Sequence, residues 1–130
     1  MINLVFAGKK IKGETVFHLF DVRLPDGTPV GECNLRVGGD CFYSGNVGYR
    51  INKEYRNRGF ATAAVQKLKN IAKDLGVTEL LIACAPDNAP SKRVAEKLSA
   101  AYLGDEIIPQ DHELFAYRRR TISRYTLKTE

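Results

Sequence analysis

The chain has 130 residues, an apolar fraction of 44%, a charged fraction of 27% and a formal net charge of +5. This length suffices for one hydrophobic core, and the composition excludes a disordered chain, which would contain far fewer aliphatic residues. The positive charge suits an anionic ligand, but by itself it does not distinguish a nucleotide cofactor from nucleic acid or a membrane surface.

The N-terminal residues and the cysteines predict a cytoplasmic protein. The apolar stretch at 2–7 is too short for a secretory signal, and no run approaches the roughly 18 apolar residues of a membrane span. Three cysteines (Cys33, Cys41 and Cys84) cannot all pair within the chain, and no Cys-x-x-Cys occurs. We therefore expect reduced thiols and no metal site.

The first half of the chain predicts strands followed by a helix. Residues 14–39 alternate apolar and polar side chains around the sequence Pro-Asp-Gly at 25–27, which indicates a hairpin. Residues 46–51 indicate a third strand after a loop. Over 60–75, apolar residues recur at the three-to-four spacing of one helical face, and Gly76 is a suitable helix stop.

The second half begins with an almost continuous apolar run at 78–85, which predicts a strand covered on both faces. Asp87 or Asn88 can cap a second helix, which tolerates Pro90 in its first turn and continues over 91–102. The remaining pattern predicts, in order, a strand over 103–109, an irregular segment over 111–120 and a closing strand over 121–128.

This order of elements predicts an α/β fold with a mixed sheet. The hairpin implies antiparallel neighbours, whereas the central strand–helix–strand crossover implies a parallel pair. The chain has no internal repeat and no low-complexity linker, so we interpret residues 1–130 as one domain.

The stretch that leads into the first helix has the features of an anion site. The first N–H groups of a helix lack intrahelical partners, and the helix dipole adds positive charge there. Gly59 lets the backbone approach a ligand without a Cβ atom in the way, and Ala61 is nearly as small. These features suit a phosphate or pyrophosphate. Neither a Walker-type loop nor the glycine fingerprint of dinucleotide-binding folds occurs in the chain.

What remains is the pattern Arg56-x-x-Gly59-x-Ala61 between a strand and a helix. It resembles the pyrophosphate-binding motif R/Q-x-x-G-x-G/A of the GNAT superfamily of N-acetyltransferases. The sequence PDNAPSKRVAEKL at 86–98 is similar to the N-x-x-S/A segment that follows the fifth strand in that family. The resemblance covers about residues 30–100. It is greatest to a small subgroup of bacterial acetyltransferases with an extended N-terminus, and the family's usual first pair of helices is shortened or missing.

The resemblance implies a single acetyltransferase domain over residues 1–130. The implied fold has antiparallel N-terminal strands, a central parallel pair that splays apart, and helices packed on the sheet. The implied cofactor is acetyl-CoA. Backbone amides in the loop and the first helical turn would hold its pyrophosphate, at Arg58, Gly59, Phe60, Ala61, Thr62 and Ala63. The backbone of the preceding strand, Tyr49 to Lys53, would pair with the pantetheine arm, chiefly at Ile51, Asn52 and Lys53. The second helix would add Asn88 and Ser91.

The family usually transfers the acetyl group by direct attack of an amine on the thioester. A lysine-like amine is mostly protonated at neutral pH, so a proton acceptor helps. We predict Glu32, on the strand after the Pro-Asp-Gly turn, as the general base. Glu54, Asp40 and His112 are alternatives, as is deprotonation through water without a dedicated base.

The family's general acid, which protonates the departing thiolate, is often a tyrosine on the helix after the asparagine. That position is Ala95 here, and we predict Tyr102 as its substitute, the alternative being a half-buried strand aromatic. A family glycine near the end of this helix corresponds to Ser99. Cys84 ends the fifth strand near the expected thioester position, and we interpret it as a core thiol because no activating base lies beside it in sequence.

Two alternative functions stay open at this point. Ala95 motivates a CoA-binding regulatory module without turnover. The basic and aromatic residues interleaved over 117–125 motivate a nucleic-acid-binding protein. For the leading prediction, an N-acetyltransferase, we expect a small-molecule or peptide amine as acceptor, no nucleic-acid or membrane partner, and a homodimer, as is frequent in the family.

Overall fold

A computed structural model describes residues 1–117 and 120–130. Its strands are β1 Asn3–Lys12, β2 Thr15–Arg23, β3 Pro29–Val37, β4 Val47–Ile51, β5 Glu79–Cys84, β6 Ala101–Ile107 and β7 Thr121–Lys128. Its α-helices are α1 Phe60–Asp74 and α2 Ala89–Lys97, and 3-10 turns span Lys53–Tyr55 and Glu113–Tyr117.

The first sheet is antiparallel throughout, in the order β1-β2-β3-β4. The predicted hairpin is confirmed as β2 and β3, and its turn is closed by the Leu24 N–H, which donates to the Thr28 carbonyl at 2.9 Å. The sequence pattern did not predict β1. Most of its residues are exposed because it is the edge strand, so its apolar alternation is weak.

The second sheet is also antiparallel, in the order β5-β7-β6. The predicted closing strand is confirmed as β7. The predicted helix over 91–102 is too long, because α2 ends at Lys97 and Ser99 adopts a left-handed φ of 58°. The chain therefore turns early enough for β6 to begin at Ala101.

The predicted central pair consists of β4 and β5, which belong to different sheets and meet at one end. The Asn46 N–H donates to the Leu81 carbonyl at 2.7 Å, and the Asn46 side-chain oxygen accepts the Leu81 N–H at 2.8 Å. Within the described residues, the bond from the Asn46 N–H to the Leu81 carbonyl is the only hydrogen bond between main-chain groups that joins the β4 segment to β5. Beyond this junction the described strands β4 and β5 form no ladder and leave a gap between the two sheets, in agreement with the splay that the resemblance implied.

The helices close the core on the sheets. Helix α1 buries its apolar face against the first sheet, with Val65 and Leu68 fully inaccessible, and α2 packs on β5 through Val94 and Ala95. Each fully buried aliphatic side chain of this size contributes about 1.5–3 kcal/mol relative to exposure. Among the residues described, no helix has both the length and the apolar character to cross a bilayer.

Candidate active site at the gap between the sheets

The start of α1 leaves backbone donors open. Gly59 precedes the helix with a left-handed φ of 81°, and no side chain of the described chain caps the helix. The first intrahelical bond is the Ala63 N–H to the Gly59 carbonyl at 3.0 Å. The amides before it find no acceptor in the described residues, namely those of Phe60, Ala61 and Thr62. This start is therefore able to bind an anion through main-chain N–H groups.

A cavity of about 630 Å³, here called the loop cavity, opens at this helix start between β4, α1 and α2. The predicted cofactor residues that line it are Ile51, Gly59, Phe60, Ala61, Thr62 and Asn88. Its cationic lining residues are Arg50, Arg56, Arg93 and Lys97. Sequence reasoning did not include Arg93 and Lys97, because cations on an exposed helix face are ordinary and nothing in the pattern marks them.

The second helix, α2, also lines the loop cavity, but its start already has a side-chain cap. The Asn88 side-chain oxygen accepts the Ser91 N–H at 3.2 Å, so of the two predicted caps, Asp87 and Asn88, the structure selects Asn88. The amide nitrogen of the Asn88 side chain stays available, because the cap uses only the oxygen.

Two predicted cofactor residues have main-chain groups that are already used. The Asn52 N–H donates to the Val30 carbonyl at 2.8 Å, and its carbonyl accepts the Tyr55 N–H at 2.9 Å. The Ala63 N–H is used by the bond to Gly59. Asn52 continues the β3–β4 ladder and Ala63 is already inside the helix, so we remove both from the predicted cofactor contacts.

Two further predicted residues, Lys53 and Arg58, are exposed and lie outside the described lining of the loop cavity. The Arg58 guanidinium donates to the Glu54 carbonyl at 3.2 Å and lies over the Tyr55 ring, 5.4 Å from its centroid. The Arg58 side chain therefore stabilises the loop, and any contact between Arg58 and an anion would come from the Arg58 main chain.

A second cavity, of about 540 Å³ and here called the sheet cavity, lies on the other side of the gap between β4 and β5. Glu32 lines it and is paired in register with Asp21 on β2 and Arg50 on β4, so the three side chains share one face of the first sheet. The Asp21 carboxylate forms a salt bridge with the Arg23 guanidinium, with 3.1 Å between oxygen and nitrogen. The predicted base Glu32 is exposed, and the cavity that it lines contains both acidic and basic side chains.

Among the residues that the structure describes, the two cavities share three in their linings: Tyr49, Arg50 and Asn88. The Tyr49 hydroxyl is 3.1 Å from the Ser91 hydroxyl oxygen on α2, so this side chain bridges β4 and α2 across the gap. Burial raises the pKa of Tyr49. Sequence reasoning included Tyr49 only for its backbone, because nothing in the sequence shows that its ring lies where the two cavities meet.

The predicted general acid lies elsewhere. Tyr102 is 57% exposed on β6, outside the described linings of both cavities. Its hydroxyl donates to Asp105 at 2.7 Å, and this bond is the main cause of a raised Tyr102 pKa. A bond from Ser123, followed by the one from Tyr102, lowers the pKa of Asp105. The prediction for Tyr102 is therefore corrected, because in the described sheet β5-β7-β6 the strand β6 pairs with β7 and lies two strands away from the gap.

The position of the family tyrosine, Ala95, is fully buried in the core. The alternative bases Glu54, Asp40 and His112 lie outside the described linings of both cavities. Asp40 accepts the Phe42 N–H at 3.0 Å. Glu32 is the one predicted base that the structure brings to the gap, within the part of the chain that it describes.

The cysteines form no disulfide in the described chain. Cys84 lines the sheet cavity, yet it is only 4% exposed and belongs to the core cluster. Burial raises the pKa of Cys33 to about 12, which keeps that thiol protonated. No group of three or more metal-binding side chains occurs among the residues that the structure covers.

The basic and aromatic stretch at 117–125 includes Arg118 and Arg119, which lie outside the described residues. Of the others, Arg120 lies over the Phe115 ring at 3.8 Å. Arg124 lies over the Phe42 ring at 3.6 Å and donates to the Phe42 carbonyl at 3.0 Å. These two cations therefore stabilise their own chain.

Comparison with known proteins adds a family assignment to this geometry. A family model described as an acetyltransferase (GNAT) domain matches residues 4–100. An uncharacterized N-acetyltransferase of Bacillus subtilis strain 168, YnaD, is 30% identical over 70 residues, which are 52% of this chain and 41% of that protein. The chain therefore spans about two-fifths of the length of this curated relative.

Solved structures share the fold. An acetyltransferase (GNAT family) from Bacillus anthracis superposes with a TM-score of 0.67 at 24% identity, covering 85% of this chain and 66% of that one. The microcin C7 self immunity acetyltransferase MccE, in complex with acetyl-CoA and AMP, superposes with a TM-score of 0.65 at 18% identity, covering 86% and 61%. These similarities show the mixed α/β fold.

Proposed function

Because this chain belongs to the GNAT acetyltransferase family, we propose that it transfers an acetyl group from acetyl-CoA to a primary amine. The observation that carries the proposal is the uncapped start of α1, which opens into the loop cavity beside the gap between the sheets. MccE, which shares the fold, was solved with acetyl-CoA, and this supports the same cofactor here.

The loop cavity would bind the phosphate-bearing part of CoA. The open amides of Phe60, Ala61 and Thr62 would donate to the pyrophosphate, helped by the positive end of the helix dipole. Arg93 and Lys97 line the α2 side of the same cavity and would add charge there. Since both are exposed lysine or arginine side chains, each interaction would contribute modestly and would weaken with salt.

The free edge of β4 would bind the pantetheine arm. The bonds from Arg36 N–H to the Asn46 carbonyl and from Asn52 N–H to the Val30 carbonyl fix the alternation of the β3–β4 ladder. By that alternation the main-chain groups of Tyr49 and Ile51 point away from β3, towards the gap. The Ile51 carbonyl already accepts the Arg56 Nε–H at 2.9 Å, so the groups left for a ligand are those of Tyr49 and the Ile51 N–H. A main-chain N–H at this edge would polarise the thioester carbonyl.

The amine would approach from the sheet cavity. A thioester held at the β4 edge, where the cavities share Tyr49 and Asn88, would expose its carbonyl carbon on that side. Glu32 would accept a proton from the ammonium group of the acceptor, directly or through water, and the neutral amine would then attack the carbonyl carbon. Its neighbours Asp21 and Arg50 give the cavity both signs of charge, which suits an amine that carries further polar groups.

Two measurements test the proposed function. Thermal unfolding is followed with acetyl-CoA and with free CoA, and we expect both to raise the midpoint, because a ligand that binds only the folded state stabilises it. Acetyl transfer to small primary amines and to peptides with a free N-terminus is then followed by mass spectrometry of the acceptor. No thermal shift at millimolar cofactor would overturn the proposal.

The same pair of measurements separates the alternative function. A thermal shift with CoA, combined with no acetyl transfer to any amine of the panel, would favour a CoA-binding module. A variant Glu32→Gln should lower kcat with little change in CoA affinity, because the carboxylate lies in the sheet cavity and outside the lining of the loop cavity.

A further inference from the structure

We propose that the Tyr49 hydroxyl protonates the sulfur that leaves when the acetyl group is transferred. The inference rests on the proposed function, which places the thioester at the β4 edge. It assigns the general acid to a strand residue, whereas sequence reasoning looked for it on or after α2.

The position of Tyr49 carries the inference. The sulfur must lie where the pantetheine channel meets the acceptor side, and the linings of the two cavities share only Tyr49, Arg50 and Asn88 among the described residues. Arg50 and Asn88 carry a guanidinium and an amide, and neither type of side chain serves as a proton donor to a leaving group. The Tyr49 phenol is the one group of the three that can give a proton to sulfur and take one back.

The surroundings of Tyr49 fix the position of its hydroxyl and keep that hydroxyl protonated. Its partner, the Ser91 hydroxyl at 3.1 Å, is fixed on α2 by the Asn88 cap on the Ser91 main chain. Burial, which outweighs this hydrogen bond, raises the Tyr49 pKa. The phenol is therefore protonated at neutral pH, as a proton donor must be, and Ser91 can turn its O–H towards the phenolate that forms.

The proposed step balances in atoms and charge. The amine nitrogen forms a bond to the carbonyl carbon, the carbon–sulfur bond breaks, and its electron pair stays on sulfur. The Tyr49 proton moves to that sulfur, which gives free CoA thiol. The phenolate is then reprotonated by the proton that the amine loses, through water or the sheet cavity, so that Tyr49 returns to its starting form.

The first test compares Tyr49→Phe with Tyr125→Phe. Tyr125 is also a buried tyrosine, 7% exposed, and it lies outside the described linings of both cavities. We expect Tyr49→Phe to lower kcat about tenfold to 10²-fold with an unchanged Kd for CoA. Positioned general acids contribute about 10²–10⁴-fold, and a thiol of pKa about 8.5 needs less help than most leaving groups. Tyr125→Phe should leave kcat unchanged.

A second test separates a proton donor from a structural residue. A fluorinated tyrosine at position 49 keeps the hydroxyl and lowers its pKa. We expect it to restore kcat relative to Tyr49→Phe and to move the alkaline fall of kcat to lower pH. A structural role would leave that pH dependence unchanged.

The outcomes are distinct. A Tyr49→Phe enzyme with wild-type kcat would overturn this inference and leave the proposed function intact. A raised Kd for CoA with unchanged kcat would also overturn it, since Tyr49 would then only shape the cavity. A wild-type protein that binds CoA but transfers no acetyl group would overturn the transferase proposal, and this inference with it.

Discussion

Helix α1 begins at Gly59 without a cap from any described side chain, whereas α2 begins at Asn88, whose side chain accepts the Ser91 N–H at 3.2 Å. Both starts line the loop cavity. A good side-chain cap contributes about 1 kcal/mol, and the chain has it at α2 and lacks it at α1. The difference indicates that α2 is built for stability at this point, while α1 keeps its amides available for a ligand.

The two helices also end differently. The chain leaves α1 through Gly76 at a φ of 81° and leaves α2 through Ser99 at a φ of 58°. Glycine adopts this left-handed conformation without a steric penalty, and serine does not. The two starts and two ends therefore give matched positions at which ligand binding and folding stability can be separated.

The largest expected effect comes from Gly59→Val, with Gly76→Val as its control. Both glycines have a φ of 81°, and an added Cβ would meet no atom within 4 Å at either place. Each variant should lose about 1–2 kcal/mol of unfolding free energy in urea, because valine is strained at this φ. Only Gly59→Val should also raise the Kd for CoA, by about tenfold or more (1.4 kcal/mol).

The two variants share one helix and one backbone conformation, so their difference isolates the helix start. Equal CoA affinities for Gly59→Val and Gly76→Val in calorimetric titrations would contradict an anion site at α1.

Asn88 gives the next largest effect and separates capping from cofactor contact. Asn88→Ala removes the cap and should lower the unfolding free energy by about 1 kcal/mol. Asn88→Ser keeps a capping oxygen but lacks the side-chain amide nitrogen, so stability should stay near wild type. Both should raise the Kd for CoA roughly fivefold, the value of one lost hydrogen bond. Wild-type CoA affinity in Asn88→Ser would show that Asn88 acts only as a cap.

Charge on the cavity side of α2 should have a smaller effect. The double variant Arg93→Gln, Lys97→Gln should raise the Kd for CoA about twofold, since exposed ion pairs at the low end of their range contribute about 0.2 kcal/mol each. It should also reduce the dependence of Kd on salt. The control Lys67→Gln, Lys73→Gln removes the same charge from exposed positions of α1 outside the described cavity lining. Equal effects of the two double variants would indicate that the overall positive charge of the protein attracts CoA and that Arg93 and Lys97 form no local site.

The smallest expected effect is on the end of α2. Ser99→Gly should raise the unfolding free energy by about 0.5 kcal/mol, the difference between left-handed strain and the greater backbone entropy of glycine. The Kd for CoA should not change, because Ser99 lies outside the described lining of the loop cavity. A loss of stability in thermal or urea unfolding would show that the serine side chain contributes more than its strain costs.

Local structure was predictable where it depends on neighbours in sequence. The apolar spacing and Gly76 predicted a helix from Phe60 to Leu75, and α1 spans Phe60–Asp74. The hairpin of β2 and β3 followed from alternation around a Pro-Asp-Gly turn. The pattern failed for β1, because edge strands are largely exposed and show little alternation.

The candidate site was predictable only in part. The motif led to Gly59, and through it to the open amides of α1, because a helix start and its glycine are adjacent in the chain. It did not lead to Arg93 and Lys97, whose spacing is that of any solvated helix face. It also placed the general acid at Tyr102, since sequence proximity to α2 says nothing about which strand β6 joins.

The sequence by itself therefore determined the family, the main helices and the loop that would hold a pyrophosphate, because these depend on short segments with local hydrogen bonds and periodicity. Only the tertiary structure decided that β4 and β5 part beyond the Asn46–Leu81 junction and that the Tyr49 ring lies where the two cavities meet. Strand order and the meeting of cavities depend on contacts between residues distant in the chain, and no local pattern records them.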